Sequence, residues 1–538
     1  QRGAGSLKMN VLVCDPISAE GITALQQCEG FNVIVLDKRP TEAELVDMVG
    51  DVNAIIVRSE TKVTRTVISA AKNLKAIGRA GVGVDNVDLA AATEAGVVVM
   101  NAPSGNTVAT AELTCTMMLS LARKVPAADA SMRAGQWDRK TFKGTELFGK
   151  TLGVVGMGRI GTEVTKRMQA FGMNVITYSP ILSAAMAKEL NVEMVSMDEI
   201  YRRSDYITFH VPLTDETRGL INAEAIRKMK HGVKLINCAR GGIIVEEDLI
   251  EGLKSGQVGG AALDVYCKEP LAADSPLRST PGLVMTPHLG ASSKEAQIRV
   301  GVEIANSISA YLKTGEIRNA VNLPDWNLDP ADYEAIKPYL QLGQKLGALA
   351  SQMSPKSVEK LTVTFGGKAT SLKFDPVVRA VLFGFMKNRS NGVNHINVYS
   401  KAKTRGLQVA SETSTESLDF SEWIRVGIES TEGNVVVGGT FFGSNMAPRI
   451  VRVNEYHVEV VPQGVIMINH NLDKPGVVAK ISMMLGRHQV NIANMTLDRD
   501  SIGGQALMVL NLDSVPPTEA LEELKREPEI LDVRIIVL

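Results

Sequence analysis

The chain is poor in the groups that mark several classes of protein. Aromatic residues make up only 4% of its 538 positions, too few for the stacking platforms that hold single-stranded nucleic acid. Neither sign of charge prevails. Against 58 Lys and Arg stand 59 Asp and Glu, a formal net charge of -1, so the one-signed field of a nucleic-acid or membrane-surface protein is missing. No apolar run approaches the roughly 20 residues that a bilayer demands. Cysteine is scarce: Cys14, Cys28, Cys115, Cys238 and Cys267 are scattered, without C-x-x-C spacing or His partners. They read as free thiols of a reducing, cytoplasmic compartment, and no metal site is expected. The leader from Gln1 to Lys8 lacks the apolar core of a signal peptide and reads as a tag-like stretch ahead of a start at Met9.

What the chain does have is length and regular order. At about 150 residues per domain it holds three or four domains. From Met9 to about Leu323, short apolar runs such as "MNVLVCD", "FNVIVLD" and "NAIIVRS" alternate with helix-like stretches. A long helix-like run from Ala109 to Arg133 separates this series from a second one, opened by "KTLGVVGMGRIG" and closed by "LVMTPH". Such alternation predicts two doubly wound parallel-sheet units, an α/β fold with a cleft between them. A helix from Lys294 to Thr314, with Val300, Ile304, Ile308 and Leu312 at helical spacing, could return the chain to the first unit. "NLPDWNLDP" marks a boundary near Pro324, after which the texture turns α+β. The last 78 or so residues show the β-α-β-β-α-β order of a ferredoxin-like domain.

The chemistry starts at Gly156, Gly158 and Gly161, a GxGxxG that follows a strand and opens a helix. That context fits a dinucleotide: the glycines permit a tight turn, close approach to a pyrophosphate and close helix–strand packing. The acidic residue expected about 20 positions on, at the end of the next strand, is replaced by Ser179. Arg240, Glu269 and His288 each follow a strand of the second unit, where such folds place their chemistry. A guanidinium binds a carboxylate in two-pronged fashion, and a His paired with a Glu suits proton transfer on a hydroxyl. Arg58, Arg79 and Arg139 could grip a phosphorylated substrate.

The stretches "GRAGVGVDNVDL", "GNTVATAELT", "INCARGGIIVEEDL", "AALDVYCKEP" and "PHLGASSKEAQ" resemble the D-2-hydroxyacid dehydrogenases, in particular the long forms acting on D-3-phosphoglycerate. The resemblance implies a flavodoxin-like substrate domain over 9–107 and 292–323, a Rossmann domain over 108–291, an intervening domain over 325–460 and an ACT domain over 461–538. It implies NAD as cofactor, D-3-phosphoglycerate as substrate and the first step of L-serine biosynthesis. By the same resemblance, Arg240 binds the substrate carboxylate, Glu269 orients the histidine and His288 is the acid–base. Cofactor contacts would include Val82, Arg159, Ile160, Ser179, Val211, Cys238, Ala239, Asp264, Gly290 and Ala291. Arg58, Arg79 and Arg139 would serve the phosphate, Arg139 from a loop at a dimer interface of a homo-oligomer, either dimer or tetramer. In the last domain Asp473 and Asn491 would contact an L-serine effector bound between paired ACT domains. Two other readings stay open: a dehydrogenase for another 2-hydroxy acid, and a cofactor-sensing regulatory protein.

Overall fold

The computed structural model describes residues 8–328, 330–416 and 418–538; the leader up to residue 7 lies outside them. Five parallel strands, β1 (Met9–Val13), β2 (Phe31–Val35), β3 (Ala54–Val57), β4 (Ala76–Arg79) and β5 (Val98–Asn101), form the first sheet in the order β2-β1-β3-β4-β5. All four residues of β3 are buried, as a parallel strand covered on both faces requires. The second sheet takes seven parallel strands: β6 (Thr151–Val155), β7 (Asn174–Tyr178), β8 (Glu193–Met194), β9 (Tyr206–Phe209), β10 (Val233–Asn237), β11 (Val258–Leu263) and β12 (Leu283–Met285). Their order is β12-β11-β10-β9-β6-β7-β8, so the sheet reverses beside β6 and opens a crevice at its carboxyl edge.

Helices tie the two units together. The run from Ala109 to Arg133 is not one helix. Thr107–Arg123 and Val125–Arg133 meet at Lys124, whose φ of 54° is left-handed, and Pro126 stands in the first turn of the second piece. Proline lacks an N–H and crowds the preceding turn, so it starts a helix more readily than it continues one. The first piece buries Met117, Met118 and Leu121; the second buries none of its residues. Helix Lys294–Thr314 is capped by Ser293, whose side chain accepts from the Ala296 N–H, and closed by left-handed Gly315. Its Val300, Ile304, Ile308 and Leu312 join Val11, Ile56 and Met100 in the core of the first sheet. Burying each of these side chains is worth roughly 1.5–3 kcal/mol, which holds the helix on that sheet.

A mixed sheet follows: β13 (Lys360–Gly367), β14 (Gln408–Ser414), β15 (Glu422–Glu429), β16 (Val435–Phe442), β17 (Ala447–Val453) and β18 (Tyr456–Val460). It runs β14-β13-β15-β16-β17-β18 and is parallel only between β13 and β14. The last sheet, β19 (Val465–Leu472), β20 (Ile492–Arg499), β21 (Gln505–Leu512) and β22 (Ile530–Val537), is antiparallel in the order β20-β21-β19-β22. Successive residues of β19 face opposite ways: Ile466 and Ile468 enter the core of the mixed sheet, while Met467 packs with Ile481 and Leu485 under the terminal helices. The final two modules therefore share one hydrophobic core. Among the described residues, no helix is long and apolar enough to cross a membrane.

Candidate active site

The glycine fingerprint sits where β6 turns into helix Arg159–Ala170. Gly156 adopts a φ of 95°, and a Cβ there would stand 2.5 Å from the carbonyl oxygen of His210. At Gly161 a Cβ would come within 2.2 Å of the Gly156 carbonyl, so this glycine lets the helix lie on the strand end. Gly158 is different: nothing lies within 4 Å of its would-be Cβ. That open space over a helix start, whose first-turn N–H groups lack helical acceptors, fits a pyrophosphate. The Gly156 N–H donates to the Tyr178 carbonyl at 2.9 Å, which sets the neighbouring Ser179 beside the same loop. The Ser179 hydroxyl is buried without a hydrogen-bond partner among the described residues. The side chain of Val211 lies against Gly156, and the buried Cys238 thiol, next to Ala239, is pushed up to about 12 by burial and by the charge of Asp264. Such a thiol is protonated and inert.

Asp264 organises the loop that carries His288. Its buried carboxylate accepts from the Thr286 hydroxyl at 2.6 Å, the Leu289 N–H at 2.7 Å and the Gly290 N–H at 2.9 Å. The Thr110 hydroxyl donates to the Gly290 carbonyl at 3.0 Å, fastening the loop, just ahead of Ala291, to helix Thr107–Arg123. Burial raises the pKa of Asp264, and the donors around it together with the charge of His288 pull the other way. Between these anchors His288 holds a left-handed backbone, φ 56°, and its N–H donates to the Asp264 carbonyl at 2.9 Å. Strain of this kind persists only where the surroundings over-determine it.

The ring of His288 meets Glu269. Nδ1 and the Glu269 Oε2 lie 2.7 Å apart, and Glu269 Oε1 accepts from the Tyr266 N–H at 3.0 Å. Burial by itself would raise the Glu269 pKa. The His288 and Tyr266 bonds and the charges of His288 and Arg240 more than offset it, and the carboxyl is held below its ordinary value. A carboxylate on Nδ1 selects the tautomer with a free Nε2 lone pair, the atom that can take a proton.

Arg240 follows β10 in a turn built by Asn237, whose amide donates to the Arg240 carbonyl at 2.9 Å and whose oxygen accepts from the Ala239 N–H at 3.1 Å. Its guanidinium crosses the cleft: Nε donates to Asp85 Oδ2 at 3.1 Å and Nη1 to the Ala239 carbonyl at 2.7 Å, while Nη2 occupies the space a Cβ on Gly83 would need. Asp85 and Gly83 belong to the turn after β4, next to Val82, whose carbonyl accepts from Asn101 at 2.6 Å. Arg79, at the end of β4, is pushed down to about 10 by burial and by the charges of Arg240 and Arg58, with Asp85 and Asp15 pushing back. Its Nε is buried with no partner among the described residues. Arg58 is placed by Asp15, whose buried carboxylate accepts from the Arg58 N–H at 2.7 Å and the Thr61 hydroxyl at 2.6 Å. Arg79 thus stands between Arg58 of its own sheet and Arg240 of the other, and Arg240 in turn acts on Glu269 of the His288 pair. Arg139 stands apart on the exposed stretch after helix Val125–Arg133, with no hydrogen bond or ion pair to the other three among the described residues. Reading the sequence missed Asp15, Asp85 and Asn237: Asp15 and Asn237 are polar residues at or just beyond a strand end, and Asp85 lies further out, in the loop after β4.

The arrangement is that of a hydride-transfer site for an anionic hydroxy acid, and similarity to known proteins agrees. The family model for the NAD-binding domain of D-isomer-specific 2-hydroxyacid dehydrogenases matches residues 115–290. The model for the D-3-phosphoglycerate dehydrogenase intervening domain matches 335–454, and that for the ACT domain matches 465–529. A D-3-phosphoglycerate dehydrogenase of Archaeoglobus fulgidus is 44% identical over 98% of this chain and 100% of its own length. The chain belongs to the D-3-phosphoglycerate dehydrogenase family. A second member of the family, from Methanocaldococcus jannaschii, is 41% identical over 98% of this chain and 100% of its own. Among solved structures, a protein of Thermus thermophilus superposes with a TM-score of 0.54 at 36% identity, covering 58% of this chain and 100% of its own. An NAD-dependent formate dehydrogenase of Staphylococcus aureus in complex with NAD gives a TM-score of 0.53 at 31% identity, covering 58% of this chain and 98% of its own. The fold class and the NAD cofactor expected from the sequence hold for this dehydrogenase family.

In the ACT domain the two effector candidates lie far apart. Asp473 follows β19 at the end paired with Gln505, and its Oδ2 accepts from Arg499 at 2.9 Å and the Gly503 N–H at 3.0 Å. Asn491 precedes β20 at the opposite end, where Ile492 faces Leu512, and donates to Asp513 at 2.8 Å. About seven residues of strand separate the two ends, roughly 23 Å at 3.3 Å per residue. One domain cannot hold both residues on one small ligand.

Proposed function

We propose that the chain oxidises the 2-hydroxyl of D-3-phosphoglycerate to 3-phosphohydroxypyruvate, the first step of L-serine biosynthesis. The observation that carries this reading is the grouping of Arg58, Arg79 and Arg240 in the cleft of the His288–Glu269 pair, with the buried Arg79 Nε unpartnered among the described residues, a setting suited to a polyanion. When bound, NAD supplies the hydride acceptor at its nicotinamide. Arg240 holds the carboxylate of the substrate, and Arg58 and Arg79 hold its phosphate, so that the hydroxyl meets His288 Nε2. His288 removes the hydroxyl proton, and Glu269 stabilises the imidazolium that forms. Fixed charge in a preorganised site supplies much of such rate enhancement. Initial rates with NAD and D-3-phosphoglycerate, D-lactate or D-glycerate test the reading. The phosphorylated acid is expected to win by at least about 10²-fold in kcat/KM, since a built anion site strongly rejects analogues that leave it unfilled. Comparable rates with D-lactate would point instead to a general 2-hydroxyacid dehydrogenase.

A homo-oligomer suits the exposed arm. Helix Val125–Arg133 buries nothing, and Val125, Met132 and Trp137, the last 79% exposed, offer apolar surface to a second copy. Such a contact would carry Arg139 toward the cleft of the neighbouring subunit. Five free thiols suit the cytoplasm. L-Serine is the effector this reading assigns to the ACT domain. Asp473 Oδ1 would take its ammonium and Asn491 of a second chain its carboxylate, an arrangement that needs two paired domains because one chain sets the residues at opposite ends. Calorimetry is expected to show heat for L-serine on the wild type and none on Asp473→Ala. No heat from the wild type at millimolar serine would leave the domain structural.

A further inference from the structure

We propose that Ser179 leaves the adenosine end of the cofactor groove open to a 2′-phosphate, so that the chain uses NADP as well as NAD. The proposal rests on the dehydrogenase reading above and extends it to a second cofactor. In a Rossmann unit the side chain at the end of the second strand meets the adenosine ribose. A carboxylate there pairs with the ribose hydroxyls and repels a phosphate. Here β7 ends at Tyr178 and Ser179 follows it.

Three observations bear on what that position accepts. Ser179 is 5% exposed and its Oγ has no hydrogen-bond partner among the described residues, a bonding capacity that a ribose hydroxyl or a phosphate oxygen would satisfy. The chain following the strand offers no replacement acid: residues 178–188 contain neither Asp nor Glu, and the first acid of helix Arg159–Ala170, Glu163, is already paired with Arg167 at 2.6 Å and Lys166 at 3.1 Å. The helix start carries a positive charge. Arg159 is exposed at the first position of that helix, three residues after the Gly156 N–H that binds the Tyr178 carbonyl, and it carries no ion pair among the described residues. With no carboxylate at position 179, this guanidinium is not opposed by the strand-end charge that would repel a 2′-phosphate.

No arginine follows Ser179 to clamp the 2′-phosphate, so the structure assigns tolerance and not preference. Two measurements on the full chain test this. Fluorescence titration with NADH and NADPH is expected to give dissociation constants within about tenfold of each other, and kcat/KM for NAD and NADP to differ by a similar factor. Ser179→Asp is expected to shift the NAD-to-NADP ratio by about 10²-fold toward NAD, through loss of NADPH binding. A wild-type chain that binds NADH at least about 10³-fold more tightly than NADPH would overturn the proposal, whatever the variant does. If neither cofactor supports turnover of D-3-phosphoglycerate, the function reading fails, while the titration still decides the role of Ser179.

Discussion

His288→Ala is expected to lower kcat by at least about 10²-fold, or about 2.7 kcal/mol of barrier, while NADH binds almost as before. General-base catalysis contributes about 10²–10⁴, and Glu269, the other side chain of the pair, already accepts from the Tyr266 N–H and would stay on its own side of the vacated space. The loss should fall on kcat because His288 acts on the hydroxyl proton and not on the cofactor. Stopped-flow turnover together with NADH titration checks both halves. Near-wild-type turnover would remove His288 from the acid–base role.

Arg240→Lys is expected to lose at least about 10²-fold in kcat/KM, despite keeping the charge. The donors of Arg240 are divided between duties: Nε binds Asp85 across the cleft, Nη1 binds the Ala239 carbonyl, and Nη2 lies over Gly83. A planar fork can satisfy these partners and still turn toward a carboxylate, whereas a single ammonium on a flexible stem cannot serve directions so far apart. Because Asp85 reaches Arg240 from the opposite unit, the substitution should also loosen the cleft, and the rise in KM is expected for the hydroxy acid and not for NAD. Unchanged KM and kcat for D-3-phosphoglycerate would take Arg240 out of the carboxylate site.

Much of this site was legible in the chain because its parts sit at strand ends. Gly156, Arg240, Glu269 and His288 each follow an apolar run closely, and the alternation of runs tells which edge of a parallel sheet they share. The gap lay in what supports them. Asp85 and Arg240 are 155 residues apart, and Thr110 and Gly290 are 180 apart. Nothing periodic links such pairs. The break at Lys124 was also lost, since the apolar spacing of the run carries across it and only Pro126 marked the change. Asp473 and Asn491 both flank strands near turns, yet antiparallel pairing sends them to opposite ends of one sheet, a separation that local spacing does not disclose.

The sequence by itself determined the element types, the α/β class, the dinucleotide turn and the residues able to do chemistry. These follow from local rules: side-chain periodicity, glycine where backbone must approach closely, and polar residues at strand ends. Tertiary structure alone decided which of those residues meet. It brought Arg58 and Arg79 from the first sheet against Arg240 from the second, set Asp264 to hold the left-handed His288, left Arg139 outside the cluster and merged the last two modules into one core. The physical reason is that repulsion among like charges, burial of an unpaired polar atom and strain in a backbone are energies of proximity, and proximity between residues a hundred or more positions apart is settled by how sheets and helices pack.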